Sequence, residues 1–488
     1  MKKQTKVLLA ATMMTMGASF SAMAALKNGQ WKIEDGQHVY YNRDGDIVTE
    51  EWCDSLGTEY WMNEDGFLGA NEWVTDETYS YYVQSNGSKT KNAWKFIFAN
   101  DEDAEEEDWY YFDAKGRMLE NTAKEIDGKW YYFDGTQGEE GKMLTGWVYY
   151  MPDNTATTEI DEKEVRPAVS TDPIANVYYC GEDGARLNGA WVEEFAWGAN
   201  VDELYDEDLN WYYITSKGKA QTGKNSDING QTYFFNKDTG VMMTGWVAKE
   251  GDNYVACDSF ENGTKELYFC DEDYGYAKMN GWRKLATPET LENDEPTNAW
   301  YFFDAKGRAY LPLGATDVNA NKGTFTNGVV TFTSTNATYD AKTIDGVKYY
   351  FGQNGQLLTG LQKIDGHFFY LVDGVKATGD TSIKDNRDDY YDFYFATKKD
   401  DSFLAGEAVT GNVNNHLYVE GQLVKADDSD AYLIAHVGTL KFIVDHNGAI
   451  QYKTSKNYDT NEGKVKITAI DKTKGYGKYA VTTAPVEE

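Results

Sequence analysis

Positive charge is what this chain has least of: 46 lysine and arginine residues stand against 80 aspartates and glutamates in 488 residues, a formal charge of −34. That deficit excludes binding to nucleic acid or anionic lipid by bulk electrostatics, because any approach to a phosphate-rich surface is repelled. Histidine is scarce as well. The five residues His38, His367, His416, His436 and His446 include no His-Glu-x-x-His spacing, and the chain has no phosphate-binding glycine loop, nucleophile elbow or Cys-His arrangement. The four cysteines, Cys53, Cys180, Cys257 and Cys270, lack the CxxC spacing of zinc or redox sites. Cys180 and Cys270 each follow an aromatic pair and read as small buried strand residues. No cofactor or metal is expected. The acidic clusters lack the alternating oxygen ligands, central glycine and terminal glutamate of a calcium loop.

Long apolar runs are absent beyond the first two dozen residues, which excludes a transmembrane segment in the mature chain. At the start, Lys2, Lys3 and Lys6 precede an apolar stretch from Val7 to Phe20, and Ala22-Met23-Ala24 has the small-x-small pattern of a cleavage site. Residues 1–24 are therefore expected to be a secretory signal. Its removal takes the formal charge to −37.

What is plentiful is aromatic: 14 Trp, 37 Tyr and 22 Phe, 15% of the chain, in a sequence only 41% hydrophobic. The rings are periodic. Trp31, Trp52, Trp73 and Trp94 lie 21 residues apart, as do Gly45, Gly66 and Gly87; three further hits at one offset have a chance expectation on the order of 10⁻⁵. Later units sharpen the pattern. Ile126-Asp127-Gly128-Lys129-Trp130-Tyr131-Tyr132-Phe133-Asp134 leads to Met143-Leu144-Thr145-Gly146-Trp147, and Ile228-Asn229-Gly230-Gln231-Thr232-Tyr233-Phe234-Phe235-Asn236 leads to Met243-Thr244-Gly245-Trp246. Aromatic and β-branched residues favour strands, and the Asp/Asn-x-x-Gly segments are read as the hairpin loops, glycine supplying the positive φ. One such hairpin is marginal alone, so successive hairpins must stack. The expected fold is all-β: a β-solenoid of stacked hairpin repeats of about 20 residues. Acidic insertions at 101–108, 152–176, 200–210 and 287–298 fall between a Trp-bearing strand and the next aromatic strand and read as solvated loops. Trp130 and Tyr132 share one strand face, Tyr131 and Phe133 the other; one face builds the spine and the other is open to a ligand.

This repeat resembles the cell wall-binding repeat family, which includes choline-binding modules of Gram-positive surface proteins, streptococcal glucan-binding domains and clostridial toxin repeats. The likeness is strong at 120–147, 225–246 and 343–379 and recognisable over most of 30–379. It implies non-catalytic repeats whose rings form shallow sites for choline or sugars, choline being held by cation–π attraction and several weak sites adding avidity. By motif position the implied ligand-binding residues are Trp130, Tyr132 and Trp147 in one unit, with Trp211, Tyr213, Trp246, Trp282 and Trp300 in others. The motif is incomplete elsewhere. Val39, Glu59, Ser80, Val177, Thr232, Leu267 and Lys348 replace the leading Trp, and Lys224 and Leu361 replace the Trp after Thr-Gly.

The expected organisation is the signal (1–24), Trp-bearing repeats (25–310), divergent Trp-free repeats (311–448) and a C-terminal cap or tail (449–488). The expected function is a secreted, non-catalytic protein, held non-covalently at the cell wall by choline-bearing teichoic acid or by extracellular polysaccharide. Two alternatives stay open: a wall hydrolase with its catalytic part after residue 380, and a host-facing adhesin using the acidic loops.

Overall fold

The computed structural model describes residues 29–100, 106–152, 163–199, 209–257, 266–287, 298–312, 322–332, 339–352, 355–400, 402–473 and 475–486. The expected signal at 1–24 lies outside them, as do most of the 101–108, 200–210 and 287–298 insertions and residues 153–162 of the 152–176 insertion. Among the described residues the structure is strands and turns, apart from one 3-10 turn at Ile174–Asn176. No described helix is long and apolar enough to cross a membrane. The chain divides into two units, one running to Gln221 with Asp238–Val241, the other comprising Thr222–Lys237 and Met242–Glu488.

The building block is an antiparallel hairpin. Thr122–Ile126 pairs with Lys129–Phe133, closed by Asp127 and Gly128 with φ of 50° and 80°. Two successive positive-φ residues make the turn whose twist matches the flanking strands, which is why Asx-Gly is used here. Asn229-Gly230, Asp345-Gly346 and Asp365-Gly366 close their hairpins in the same way. The Asp/Asn-x-x-Gly segment read from the sequence as the hairpin loop has a different place. It follows the second strand and sends the chain on to the next hairpin. Asp113 shows how: its carboxylate accepts the backbone N–H of Lys115 and Arg117 at 2.7 and 2.9 Å, while Gly116 supplies the positive φ. Met118 then returns to bridge Phe112.

That returning segment also joins neighbours. The residue two past the turn glycine donates its backbone N–H to the aromatic strand of an earlier hairpin. Examples are Lys89 to Glu59 (2.9 Å), Met143 to Trp109 (2.8 Å) and Arg186 to Trp130 (2.8 Å) in the first unit, and Ala309 to Leu267 (2.7 Å) and Leu357 to Trp300 (2.9 Å) in the second. In these cases a hairpin satisfies backbone groups of an earlier one within its unit, and Leu357 does so across the intervening hairpin at 323–332. The core is correspondingly aromatic: Tyr110, Phe112, Tyr132, Phe133 and Tyr212 are fully buried in the first unit, and Phe234, Tyr268, Tyr301, Phe303 and Phe351 in the second. Cys180 and Cys270 are buried and unpaired in the strand slots occupied elsewhere by Phe112 and Phe133, and burial pushes the Cys270 thiol up to about 12.

One insertion behaves differently from a solvated loop. Within 152–176, Glu164–Pro167 adds a third strand beside Gly146–Met151, with Val165 buried and Arg166 paired to Asp172 and Glu164 at 2.7 Å each. A comparable third strand, Asn253–Ala256, flanks Gly245–Glu250. At the C-terminus, Asn457–Thr460, Gly463–Ile470 and Val481–Pro485 form one sheet whose core of Tyr458, Val465, Ile467 and Val481 packs on Ile434 and Ile443.

Candidate functional site: aromatic clusters between hairpins

Hairpin register brings three rings together repeatedly. A Trp on the first strand lies opposite an aromatic on the second: Trp94 opposite Tyr111, Trp147 opposite Tyr179, Trp246 opposite Phe269 and Trp282 opposite Phe302. A later hairpin contributes the third ring, the next one for Trp94 and, for Trp282, the one beyond the hairpin at 323–332. Trp94 has Tyr111 at 5.1 Å and Tyr131 at 4.9 Å; Trp282 has Phe302 at 5.3 Å and Tyr349 at 4.8 Å. The edge-to-face and tilted geometry suits ring quadrupoles, and the exposed ring faces attract a cation.

The clusters differ in cover. Trp147 meets Tyr179 at 4.9 Å and Tyr212 at 4.8 Å, but Trp197 packs on it at 5.3 Å and the Trp147 Nε1 donates to the Phe195 carbonyl at 2.7 Å. Trp246 meets Phe269 and Tyr301 at 5.1 and 4.6 Å, packs with Cys257 and Ala248, and donates to the Ala286 carbonyl at 2.8 Å. These two indoles are 8% and 7% exposed, whereas Trp94 and Trp282 are half-buried. The Tyr212 hydroxyl in the covered cluster is fully buried without a hydrogen-bond partner among the described residues.

The residues expected from sequence are distributed as follows. Trp130, Tyr132 and Trp147 do not converge: Tyr132 is buried against Tyr150 and Tyr178 at 5.4 and 5.5 Å, Trp147 belongs to a separate core with Tyr212 and Trp197, and Trp130 is half-buried with the Arg186 guanidinium 5.6 Å over its ring. Trp211 and Tyr213 do converge, on Trp191 at 6.4 and 5.1 Å. The same arrangement recurs at Trp94, Trp109 and Tyr111, at 6.4 and 5.1 Å. Trp300 is 39% exposed and lies opposite Lys284. In 109–112, 211–214 and 300–303 the second and fourth residues are buried and the first and third face outward, so alternation separates spine from open face. Sequence reasoning did not single out Trp94 and Trp191, around which these ring clusters form. For Trp94 the signal was present in the 21-residue spacing, which also yields the Trp31–Tyr60, Trp52–Tyr81 and Trp73–Tyr110 contacts at 5.5, 6.0 and 5.3 Å. No group of three or more candidate metal-ligating side chains occurs among the described residues.

Hairpins that share rings across successive copies define a tandem aromatic repeat protein. Residues 106–140 match the choline-binding repeat and 342–357 the cell wall binding repeat, and in these two segments the chain carries repeats of that kind. It is 26% identical over 325 residues to glucosyltransferase-S of Streptococcus mutans serotype c, covering 56% of this chain and 20% of that protein. To glucosyltransferase-I of Streptococcus downei it is 25% identical over 350 residues, 65% of this chain and 19% of that one. The chain therefore spans about a fifth of the length of these curated relatives. Among solved structures, CbpJ of Streptococcus pneumoniae TIGR4 is 19% identical with a TM-score of 0.38, over 74% of this chain and 100% of that one. Choline binding protein F of Streptococcus pneumoniae is 16% identical with a TM-score of 0.37, over 72% and 99%.

Proposed function

We propose that this is a secreted, non-catalytic binding protein whose hairpins stack within each unit as a β-solenoid and hold it, without covalent attachment, to a Gram-positive cell wall. The ligand is a quaternary ammonium group, the choline of teichoic acid, seated against half-exposed ring clusters. The observation that carries this is the repetition of one three-ring geometry at Trp94–Tyr111–Tyr131 and Trp282–Phe302–Tyr349 with the indoles half-buried rather than buried. Without the signal the chain, at −37, is repelled by an anionic wall, so a cationic or neutral ligand must supply the attraction. Each ring face contributes roughly 0.5 to 2 kcal/mol to ammonium binding, and several such sites in series give firm retention. Trp147 and Trp246 serve the fold in this reading, and Trp94, Trp191, Trp211, Tyr213 and Trp282 serve the ligand.

A second reading has one observation in its favour: the flat indoles of Trp211 and Trp300, 42% and 39% exposed, offer platforms for an uncharged glucan. Retention of the full chain on purified choline-bearing walls, with elution by free choline and separately by glucan oligosaccharides, decides between them. Choline elution that is lost on Trp94→Ala with Trp282→Ala is expected. No retention on the walls, or choline elution unaffected by the two substitutions, overturns the proposal.

A further inference from the structure

The position two residues past each turn glycine lies over the junction between consecutive hairpins, and it is generally apolar: Leu68, Met118, Met143 and Leu357 occupy it. At Lys89, Arg186 and Lys376 it is cationic, and the Arg186 guanidinium lies 5.6 Å over the Trp130 ring. The Lys89 ammonium sits 4.1 Å over the Trp52 ring and 4.6 Å over that of Tyr81, inside the cluster that also contains Trp61, 5.2 Å from Trp52. Its side chain is only 7% exposed, and Glu59 holds the ammonium at 3.0 Å. Glu59 itself stands where other hairpins have the leading Trp, so ring and counter-charge have been exchanged together at this junction. Lys376 repeats the arrangement in the second unit, its ammonium 3.1 Å over Phe369 and 4.7 Å over Tyr350. Lys224 reaches a similar end from another position: it replaces the first-strand Trp opposite Phe234 and sets its ammonium 4.8 Å over Tyr268 and 5.5 Å over Phe234.

We infer that these lysines are tethered cations that fill their own ring clusters, so the junctions at Lys89, Lys224 and Lys376 are closed to an external ammonium ligand and the binding array is restricted to clusters without an internal cation. The physical basis is competition for one place. A ring face attracts any cation within about 6 Å of its centroid, and a side chain already fixed there is favoured over a free ligand that must be immobilised on binding. The aromatic count therefore overstates the number of working sites.

This inference rests on the ammonium reading above, and two measurements separate their failures. In the full chain labelled with carbon-13 at the lysine ε-carbon, the Lys89 ε-methylene protons are expected upfield through the ring currents of Trp52 and Tyr81, and the shift is expected to vanish in Trp52→Leu. In equilibrium dialysis with choline, Lys89→Met, which installs the residue found at the same position in other hairpins, is expected to take up one more choline per chain than the unsubstituted protein. Adding Trp52→Leu is expected to remove that extra site. An unshifted Lys89 ε-methylene overturns the tethered cation whatever the ligand. Choline uptake that is equal and non-zero in the two proteins overturns the closure while leaving the ammonium reading intact. Uptake by neither protein overturns both.

Discussion

The Trp147 and Trp94 hairpins start from the same three-ring geometry and end with opposite exposure. In both, an indole contacts its cross-strand tyrosine and a tyrosine of the next hairpin at 4.8 to 5.1 Å. Around Trp147, however, Glu164–Pro167 supplies a third strand and Trp197 packs on the ring; Ala93–Phe98 and Glu107–Phe112 remain a two-stranded sheet, and Trp94 stays half-buried. Trp246 and Trp282 repeat the contrast in the second unit. A motif thus specifies the cluster, and what lies in the loops specifies whether a ligand can reach it.

The contrast is broken most forcefully at the covered ring. Trp147→Ala is expected to destabilise the protein by about 3 to 5 kcal/mol through loss of buried contacts and the cavity left behind, read by denaturant unfolding, while chains that remain folded keep their wall retention. A large loss of retention at unchanged stability would show that Trp147 serves the ligand after all. Trp94→Ala is expected to do the reverse, weakening wall retention by roughly 0.5 to 2 kcal/mol per site in a binding isotherm, with a smaller stability change because the ring is half-buried.

Acid should affect the covered Trp246 hairpin and the open Trp94 hairpin alike, because a hydrogen-bonded carboxylate, Asp271 or Asp113, opens the linking turn after each. Lys278, with the backbone N–H groups of Asp273 and Tyr274, holds the Asp271 carboxyl below its ordinary value. At Asp113 burial acts to raise the pKa, and the hydrogen bonds from Arg117 and Lys115 outweigh it. A folded-state pKa below the unfolded one means that the unfolded chain binds protons first as pH falls. The stabilisation is therefore complete above the ordinary carboxylate value and is lost on descending through it toward the folded value. Melting temperature recorded from about pH 5 to about pH 2 is expected to fall, with a shallower fall in Asp271→Asn; identical slopes would remove this turn from the account. The smallest effect is expected for Tyr212→Phe. Its buried hydroxyl lacks a partner among the described residues, so deletion should be neutral or stabilising by up to about 1 kcal/mol, and a calorimetric loss of stability would show that the hydroxyl is satisfied.

Much of this was legible in the chain. The 21-residue Trp spacing and the aromatic strands announce hairpins, and the Cys180 and Cys270 slots were read correctly as buried strand positions. The role of Asp-x-x-Gly was not legible, because a single positive-φ glycine suits both a hairpin loop and the three-residue return after it; the Asx-Gly pairs, with two positive φ values, close the hairpin. Nor was the grouping of Trp130, Tyr132 and Trp147, since residues aligned in one motif copy are divided between cores by the stacking of neighbours.

The sequence by itself determined the repeated unit, its ring positions and the charge that forbids an anionic ligand surface, because strand alternation, turn glycines and net charge are local or additive properties. Only the tertiary structure decided which rings are spine, which are open and which hold one of the protein's own lysines. Those outcomes depend on residues distant in the chain, Trp197 above Trp147 and Lys89 above Trp52, and burial is set by what arrives across space.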